Sequence, residues 1–180
     1  MVLITNGIPE YPMLYESEQE EMDTYAVELN SFVDTVLNKV YEQPHGRNMI
    51  FSSFNPDVCL LLSFKQPSIP VLFLTDAGSS PIGDIRASSL QEAVRFASRW
   101  NLLGVVTQAE CLVLCPRLIR VVKESGLVCV SYGTLNNDTH QVKVSFQNNH
   151  PQSLLTFSSS KPQKESTLSS PIPFWPSVRA

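Results

Sequence analysis

Charge is scarce in this sequence. Only 17% of the 180 residues are Asp, Glu, Lys or Arg, and their formal sum is −4. A nucleic-acid binder presents a basic face, so this balance argues against nucleic acid as a partner. Histidine is scarcer still: His45, His140 and His150 are the only three, in loops or in the tail. None follows a strand, as a catalytic histidine would, and none is assigned a role. Long hydrophobic runs are missing, and the longest falls far short of the roughly 20 apolar residues of a membrane helix. The opening MVLITNG carries no basic residue ahead of its apolar ones, so no secretory leader is read there and a cytoplasmic location is expected. The four cysteines, Cys59, Cys111, Cys115 and Cys129, all lie inside apolar runs and read as small buried hydrophobes in a reducing compartment. Cys111 and Cys115 have neither a second pair nor a nearby histidine, so they do not make a zinc signature. Neither a glycine-rich dinucleotide loop nor a Walker-type phosphate loop occurs.

What is present is alternation. Residues 49–54 and 71–75 are short, apolar and rich in Ile, Val and Phe, which predicts buried strands. Between them runs a helical segment over 56–64, with Asn55 as its N-cap and Pro56 at the first helical position, where the missing N–H costs nothing. Upstream, Ser17 and Glu20 form a capping box ahead of an apolar stripe from Met22 to Val40. The acidic residues of its first turns suit the positive end of a helix dipole better than they suit a cation site. Downstream, Ser89 and Glu92 repeat the box before a helix bearing Ala93, Phe96, Ala97 and Trp100. A third strand is expected over 102–107, helix over 109–125 reset at Pro116 and stopped by Gly126, a fourth strand over 127–132, and the start of another helix over 137–143. Residues 2–5 are a candidate strand cut short by Asn6-Gly7 and Pro9.

The order from residue 17 is therefore helix and strand in strict alternation, which predicts an α/β fold with a parallel sheet. Periodicity alone leaves a barrel and an open doubly wound sheet both standing. From Ser145 onward the composition turns to Ser and Pro without period. Such a segment cannot bury enough apolar area to offset its ordering entropy, so 145–180 is expected to be a disordered tail after a domain over 1–144. Phe174-Trp175 is either a short docking motif or part of that unstructured tail.

Two strings carry a resemblance that spacing cannot supply: YPMLYESEQEEMDTYAVELNSFVDTVLNKVYE, and NMIFSSFNPDVCLLLSFKQPSIPVLFLTDAG. Together with LQEAVRFASRWNLLGVV and LIRVVKESGLVCVSYGTLNND, they resemble the fungal glycerophosphodiester phosphodiesterases over about residues 11–144. The likeness is to the phosphodiesterase domain of the SPX–ankyrin–phosphodiesterase proteins, which hydrolyse glycerophosphocholine. The resemblance implies a (β/α)₈ barrel, of which the four clear strands would be the fourth to the seventh. It also implies a small-molecule glycerophosphodiester as substrate and a divalent cation, Mg or Ca, as cofactor.

The family's HRG-type histidine and ExD carboxylate pair belong on strands upstream of this region, and neither motif is expected in this sequence. Where the family has ExK before YPM, this sequence has Ile8 and Glu10 in place of the Glu and the Lys. No last-strand string follows Lys143. The chain is therefore expected to be inactive alone, with no catalytic or metal-binding residue assigned. Fragment status, through a truncated gene model or a splice variant, and a non-catalytic regulatory or binding module of the phosphate pathway are the alternatives to a phosphoric diester hydrolase. In barrel enzymes the site lies at the C-terminal ends of the strands. That placement, with the resemblance, makes Ser53, Phe54, Asn55 and Tyr132 the candidate pocket residues, beside Asp76 and Gln108 at the remaining strand ends. Phe54 reads equally well as core, and Asp76 as a turn or helix cap. Four or five of eight units would leave open parallel edges and a wet interior, so self-association through those edges is expected.

Overall fold

The computed structural model describes residues 2–3, 27–42, 49–79, 82–137 and 154–156. In chain order the elements are β1 (Val2–Leu3), α1 (Leu29–Glu42), β2 (Met49–Ser53), α2 (Pro56–Lys65), β3 (Val71–Thr75), a 3₁₀ turn (Ile85–Ala87), α3 (Leu90–Arg99), β4 (Gly104–Gln108), α4 (Ala109–Leu114), α5 (Arg117–Glu124), β5 (Val128–Tyr132), a second 3₁₀ turn (Thr134–Asn137) and β6 (Leu154–Thr156). The alternation read from the sequence is present, with boundaries moved by one or two residues at most of the strand and helix ends.

The helix starts follow from local chemistry. Asn55 Oδ1 accepts from the backbone N–H of Asp57 at 2.9 Å and of Val58 at 3.1 Å, with Pro56 opening α2. Ser89 Oγ accepts from Glu92 N at 3.2 Å and opens α3 in the same way. Removing the Asn55 cap as Asn55→Ala is expected to cost about 1 kcal/mol, seen as a lower urea midpoint at unchanged slope.

The Ser17–Glu20 capping box lies outside the described residues. Within them α1 begins after Glu28, whose carboxylate accepts from Asn30 N at 2.9 Å and Ser31 N at 2.8 Å. Those backbone bonds hold the Glu28 carboxyl down from the ordinary 4.5 to about 2. The ionised form is favoured in the folded chain, so its contribution is complete above about 4.5 and lost as pH falls toward 2. Amide exchange in the first turn of α1 should therefore quicken over that acid window, ahead of the interior of α3. Farther along, Pro116 separates α4 from α5, and Gly126, at φ +78°, ends α5 as expected.

The sheet runs β1-β2-β3-β4-β5-β6, every neighbouring pair parallel. An order that never reverses has no topological switch point, unlike a doubly wound sheet. The two faces make the same distinction. On one face Phe51, Val71, Phe73, Val105 and Cys129 pack with residues of α1, α2, α3, α4 and α5 in one core. On the other face Ile50, Leu72, Leu74, Val106 and Val130 form a second cluster to which no helix among the described residues contributes. Helices on one side only, around a sequentially ordered parallel sheet, are an arc of a (β/α)₈ barrel.

Two expectations are corrected here. The inward residues are not wet: Ile50, Leu72, Leu74, Val106 and Val130 are at most 8% exposed. Parallel strands twist and coil, so inward side chains of a curved arc shield one another, and Phe54, Leu103, Val128 and Tyr132 close around them. Second, residues Leu154–Thr156 of the segment expected to be a structureless tail pair with Cys129, Val130 and Ser131 as β6. Three residues are too few to show a period. The parallel edge of β5 supplies the backbone partners that make a strand of them. Of the helix expected over 137–143 only Asn137 is described, at the end of the second 3₁₀ turn, and the Phe174-Trp175 pair lies outside the described residues.

Candidate functional site

The four central strands end side by side. The register pairs Thr75 with Thr107 and Gln108 with Tyr132, and Ser53 with Phe73 one strand earlier. Side chains alternate across a pleated strand. Phe54, Asp76, Gln108 and Tyr132 therefore continue the inward rows begun by Ile50, Leu74, Val106 and Val130, and they meet at the C-terminal mouth of the arc.

Their contacts are specific. The Tyr132 hydroxyl donates to Asp76 Oδ1 at 2.6 Å, and Gln108 Nε2 donates to the same oxygen at 3.3 Å. Ser79 Oγ lies 3.2 Å from Gln108 Oε1 and 2.7 Å from the Asp76 carbonyl oxygen. The turn that returns Ser79 to this cluster uses two left-handed residues, Ala77 at φ +54° and Gly78 at φ +86°. For alanine that conformation is a strain of about 1 kcal/mol, held in place beside Asp76. Phe54 and Tyr132 stand nearly perpendicular, with ring centroids 6.2 Å apart and planes at 86°. The result is two aromatic walls beside a carboxylate.

Electrostatics at this corner are one-sided. Burial, then the adjacent Asp76 carboxylate, raises the Tyr132 hydroxyl above its ordinary value, so the proton stays on oxygen and the group acts as a donor. None of the ion pairs among the described residues includes Asp76. The nearby acids Asp57 and Asp84 are in a different state, since both are held by Arg86, at 2.6 Å and 2.5 Å. That clamp joins the start of α2 to the long β3–α3 loop and fixes the outer rim of the mouth.

Of the four pocket residues expected from sequence, the structure brings together Phe54 and Tyr132. Ser53 and Asn55 stand apart from them. Ser53 lies on the helix-facing side and is 6% exposed, its Oγ accepting from Asn55 N at 3.1 Å. The Asn55 side chain caps α2. Both shape the elbow that presents Phe54. Ser52 alternates inward instead, and its hydroxyl is buried without a hydrogen-bond partner among the described residues. Strict alternation backward from Phe54 would have found it. Asp76 and Gln108, read as strand-end residues only, are the centre of the hydrogen-bonded cluster.

A divalent cation would need several oxygen or nitrogen ligands. No group of three or more His, Cys, Asp or Glu side chains that could hold a metal ion occurs among the described residues. Asp76 is the one carboxylate of the cluster, and it shares an oxygen with two donors. The residues described here do not fit such an ion. Glu21-Met22-Asp23 has the spelling of the family's ExD pair, but in an acidic run read as a helix start and outside the described residues. Ile8 and Glu10 are outside them as well. Among the described residues no helix is long and apolar enough to cross a membrane.

Comparison with known proteins gives a consistent result. The model of the glycerophosphoryl diester phosphodiesterase family matches residues 6–149. The chain is 58% identical over 135 residues to glycerophosphocholine phosphodiesterase GDE1 of Candida albicans, covering 74% of this chain and 12% of that protein. It is 50% identical over 133 residues to glycerophosphocholine phosphodiesterase gde1 of Schizosaccharomyces pombe, covering 74% and 12%. With glycerophosphocholine phosphodiesterase GPCPD1 of Rattus norvegicus it shares 34% identity over 120 residues, 65% of this chain and 18% of the other. The chain thus spans a small part of the length of these relatives. Among solved structures, a glycerophosphodiester phosphodiesterase from Parabacteroides distasonis superposes with a TM-score of 0.51 over 74% of this chain and 50% of that one. At 12% identity that likeness shows the fold alone.

Proposed function

Since the chain belongs to the glycerophosphoryl diester phosphodiesterase family, we propose that it serves the hydrolysis of glycerophosphodiesters to glycerol 3-phosphate and an alcohol. The observation that carries this beyond family membership is the meeting of Phe54, Asp76, Gln108 and Tyr132 at the C-terminal mouth of the arc, where barrel enzymes place their sites. These residues form one wall of the candidate pocket. They include no acid/base histidine, so the chemistry of bond cleavage needs groups that this wall does not supply. In this reading the 180-residue chain by itself is inactive.

The division into barrel and tail belongs to the same proposal. The family match ending at residue 149 supports it, while Leu154–Thr156 extends the sheet past the boundary at 144/145. The test is release of glycerol 3-phosphate from glycerophosphocholine by the purified chain with Mg²⁺ or Ca²⁺ present. No release is expected. Release that a chelator abolishes would show that the chain carries the full machinery and would overturn the inactive part of the reading. The specific alternative, a non-catalytic binding module, predicts saturable diester binding that neither metal changes.

A further inference from the structure

The carboxylate at the mouth stands on a turn that needs support. Asp76 is followed by Ala77 at φ +54° and Gly78 at φ +86°. Glycine adopts a left-handed backbone freely, but alanine does not. A turn left to itself returns Ala77 to negative φ. That redirects the chain at Asp76 and Ser79 and breaks their contacts with Tyr132 and Gln108.

The support comes from one segment, the first 3₁₀ turn and the two serines after it. The Thr75 hydroxyl, fully buried, donates to Ala87 O at 3.3 Å and accepts from Ala77 N at 3.0 Å. One group therefore ties the left-handed alanine to the segment. Gly78 packs so closely against it that an added Cβ would fall 2.8 Å from Ser88 O. The segment is itself held from outside through Arg86. Its Nη1 donates to Asp57 Oδ1 at 2.6 Å and its Nη2 to Asp57 Oδ2 at 3.2 Å, while Nε donates to Asp84 Oδ1 at 2.9 Å. The guanidinium carbon lies 5.7 Å from the centroid of the Phe96 ring. Asp57 belongs to the first turn of α2, and Phe96 to α3. Both helices are already anchored in the core, by Val58, Cys59 and Leu62 and by Ala93, Val94 and Ala97. Neither needs the arginine to stay in place. The planar fork between two carboxylates sets instead where the segment sits.

We propose that Arg86 and Thr75 are positioning residues of the mouth: Arg86 seats the segment from Ile85 to Ser89, and Thr75 passes that placement through Ala77 to Asp76, so that its carboxylate meets Tyr132 and Gln108. Their functional weight rests on reading this mouth as the site, and their action requires no particular substrate.

The test uses the 180-residue chain and follows the Tyr132 ring and the Gln108 side-chain amide by NMR. Asp76→Ala deletes the acceptor and defines the signals of a released mouth. Arg86→Lys keeps the charge but not the fork, and Thr75→Val keeps the shape but not the hydroxyl. Each is expected to move both signals about halfway to the released positions, as a turn with two comparably populated states would. Ile119→Val, in the core on α5, lowers stability without touching this chain of contacts and should leave both signals unmoved. Ala77→Gly adopts the left-handed backbone without strain. Added to Arg86→Lys, it should return both signals to their parent positions. Where Thr75→Val does not fold, Arg86→Lys alone decides, since that side chain is a third exposed. Parent signals in Arg86→Lys, equal shifts in Ile119→Val, or no rescue by Ala77→Gly overturns the proposal. Turnover is not part of this measurement. Signals that behave as expected in a family whose chemistry proves to lie at another mouth would remove the proposed function and leave the positioning, and unmoved signals would do the reverse.

Discussion

Gly104→Ala is expected to abolish cooperative folding, or to leave a fold weakened by more than about 3 kcal/mol. A Cβ built on Gly104 falls 2.0 Å from the carbonyl oxygen of Val128 and 2.7 Å from its C and N. All three are backbone atoms of the neighbouring strand, so no side-chain rotamer can relieve the clash. Gly104 and Val128 are partners in the β4–β5 ladder. Moving them apart would also break the bond from Val128 N to Leu103 O, now 3.0 Å. Ordinary overpacking costs about 1–3 kcal/mol because side chains give way, and here only the sheet itself can give. Gly126→Ala is the control. Nothing lies within 4 Å of its added Cβ, but its φ of +78° imposes the torsional cost alone, about 1–2 kcal/mol. Urea unfolding of both variants, followed by circular dichroism, checks the ranking. A Gly104→Ala midpoint equal to that of Gly126→Ala would show that β4 and β5 are not paired as described.

That glycine also shows where reading the sequence stopped. Gly104 could be placed in a strand from the letters LLGVVT, yet its reason for being glycine lies in the strand beside it, about 24 residues away in the chain. What depended on local chemistry was readable: the Asn55 and Ser89 caps, the break at Pro116, the stop at Gly126 and the four apolar strands. The choice between an arc and a doubly wound sheet was not, because it rests on which side each helix packs, and periodicity is the same either way. The site divided along the same line. Strand-end position was enough to nominate Phe54, Asp76, Gln108 and Tyr132. The bond from Tyr132 to Asp76, across 56 positions, needed the register, and so did the recognition that Ser53 faces the helices while Ser52 faces inward. The strand at Leu154–Thr156 escaped because its partner, not its own pattern, makes it a strand.

Phe73→Ala should be the costliest side-chain truncation in the chain, about 3–5 kcal/mol. The ring is fully buried in the centre of β3 and meets Phe96 of α3 edge to face, with centroids 4.9 Å apart. Above it the sheet backbone is fixed by pairing on both sides, to β2 and to β4. The cavity therefore cannot collapse, and the loss falls toward the upper end of the range. Phe64 provides the comparison. It has the same ring and an aromatic partner, Trp100 at 5.7 Å, but is 65% exposed. Phe64→Ala should cost less than about 1 kcal/mol, the worth of the ring pair with little burial behind it. A double-mutant cycle between Phe73 and Phe96 should recover about 0.5–1.5 kcal/mol of coupling, with the remainder of the Phe73 loss being burial and cavity. The two faces of the sheet make one further demand. Phe73 belongs to the helix-side core, whereas Leu72 and Leu74 belong to the inward cluster that ends at Asp76. Below its melting transition, Phe73→Ala should therefore leave the Phe54 and Tyr132 ring resonances at the mouth as they are in the parent chain. Resonances of the two rings that shift in step with the loss of stability would mean that the two cores form a single cooperative layer and that the mouth is held by packing more than by its hydrogen bonds.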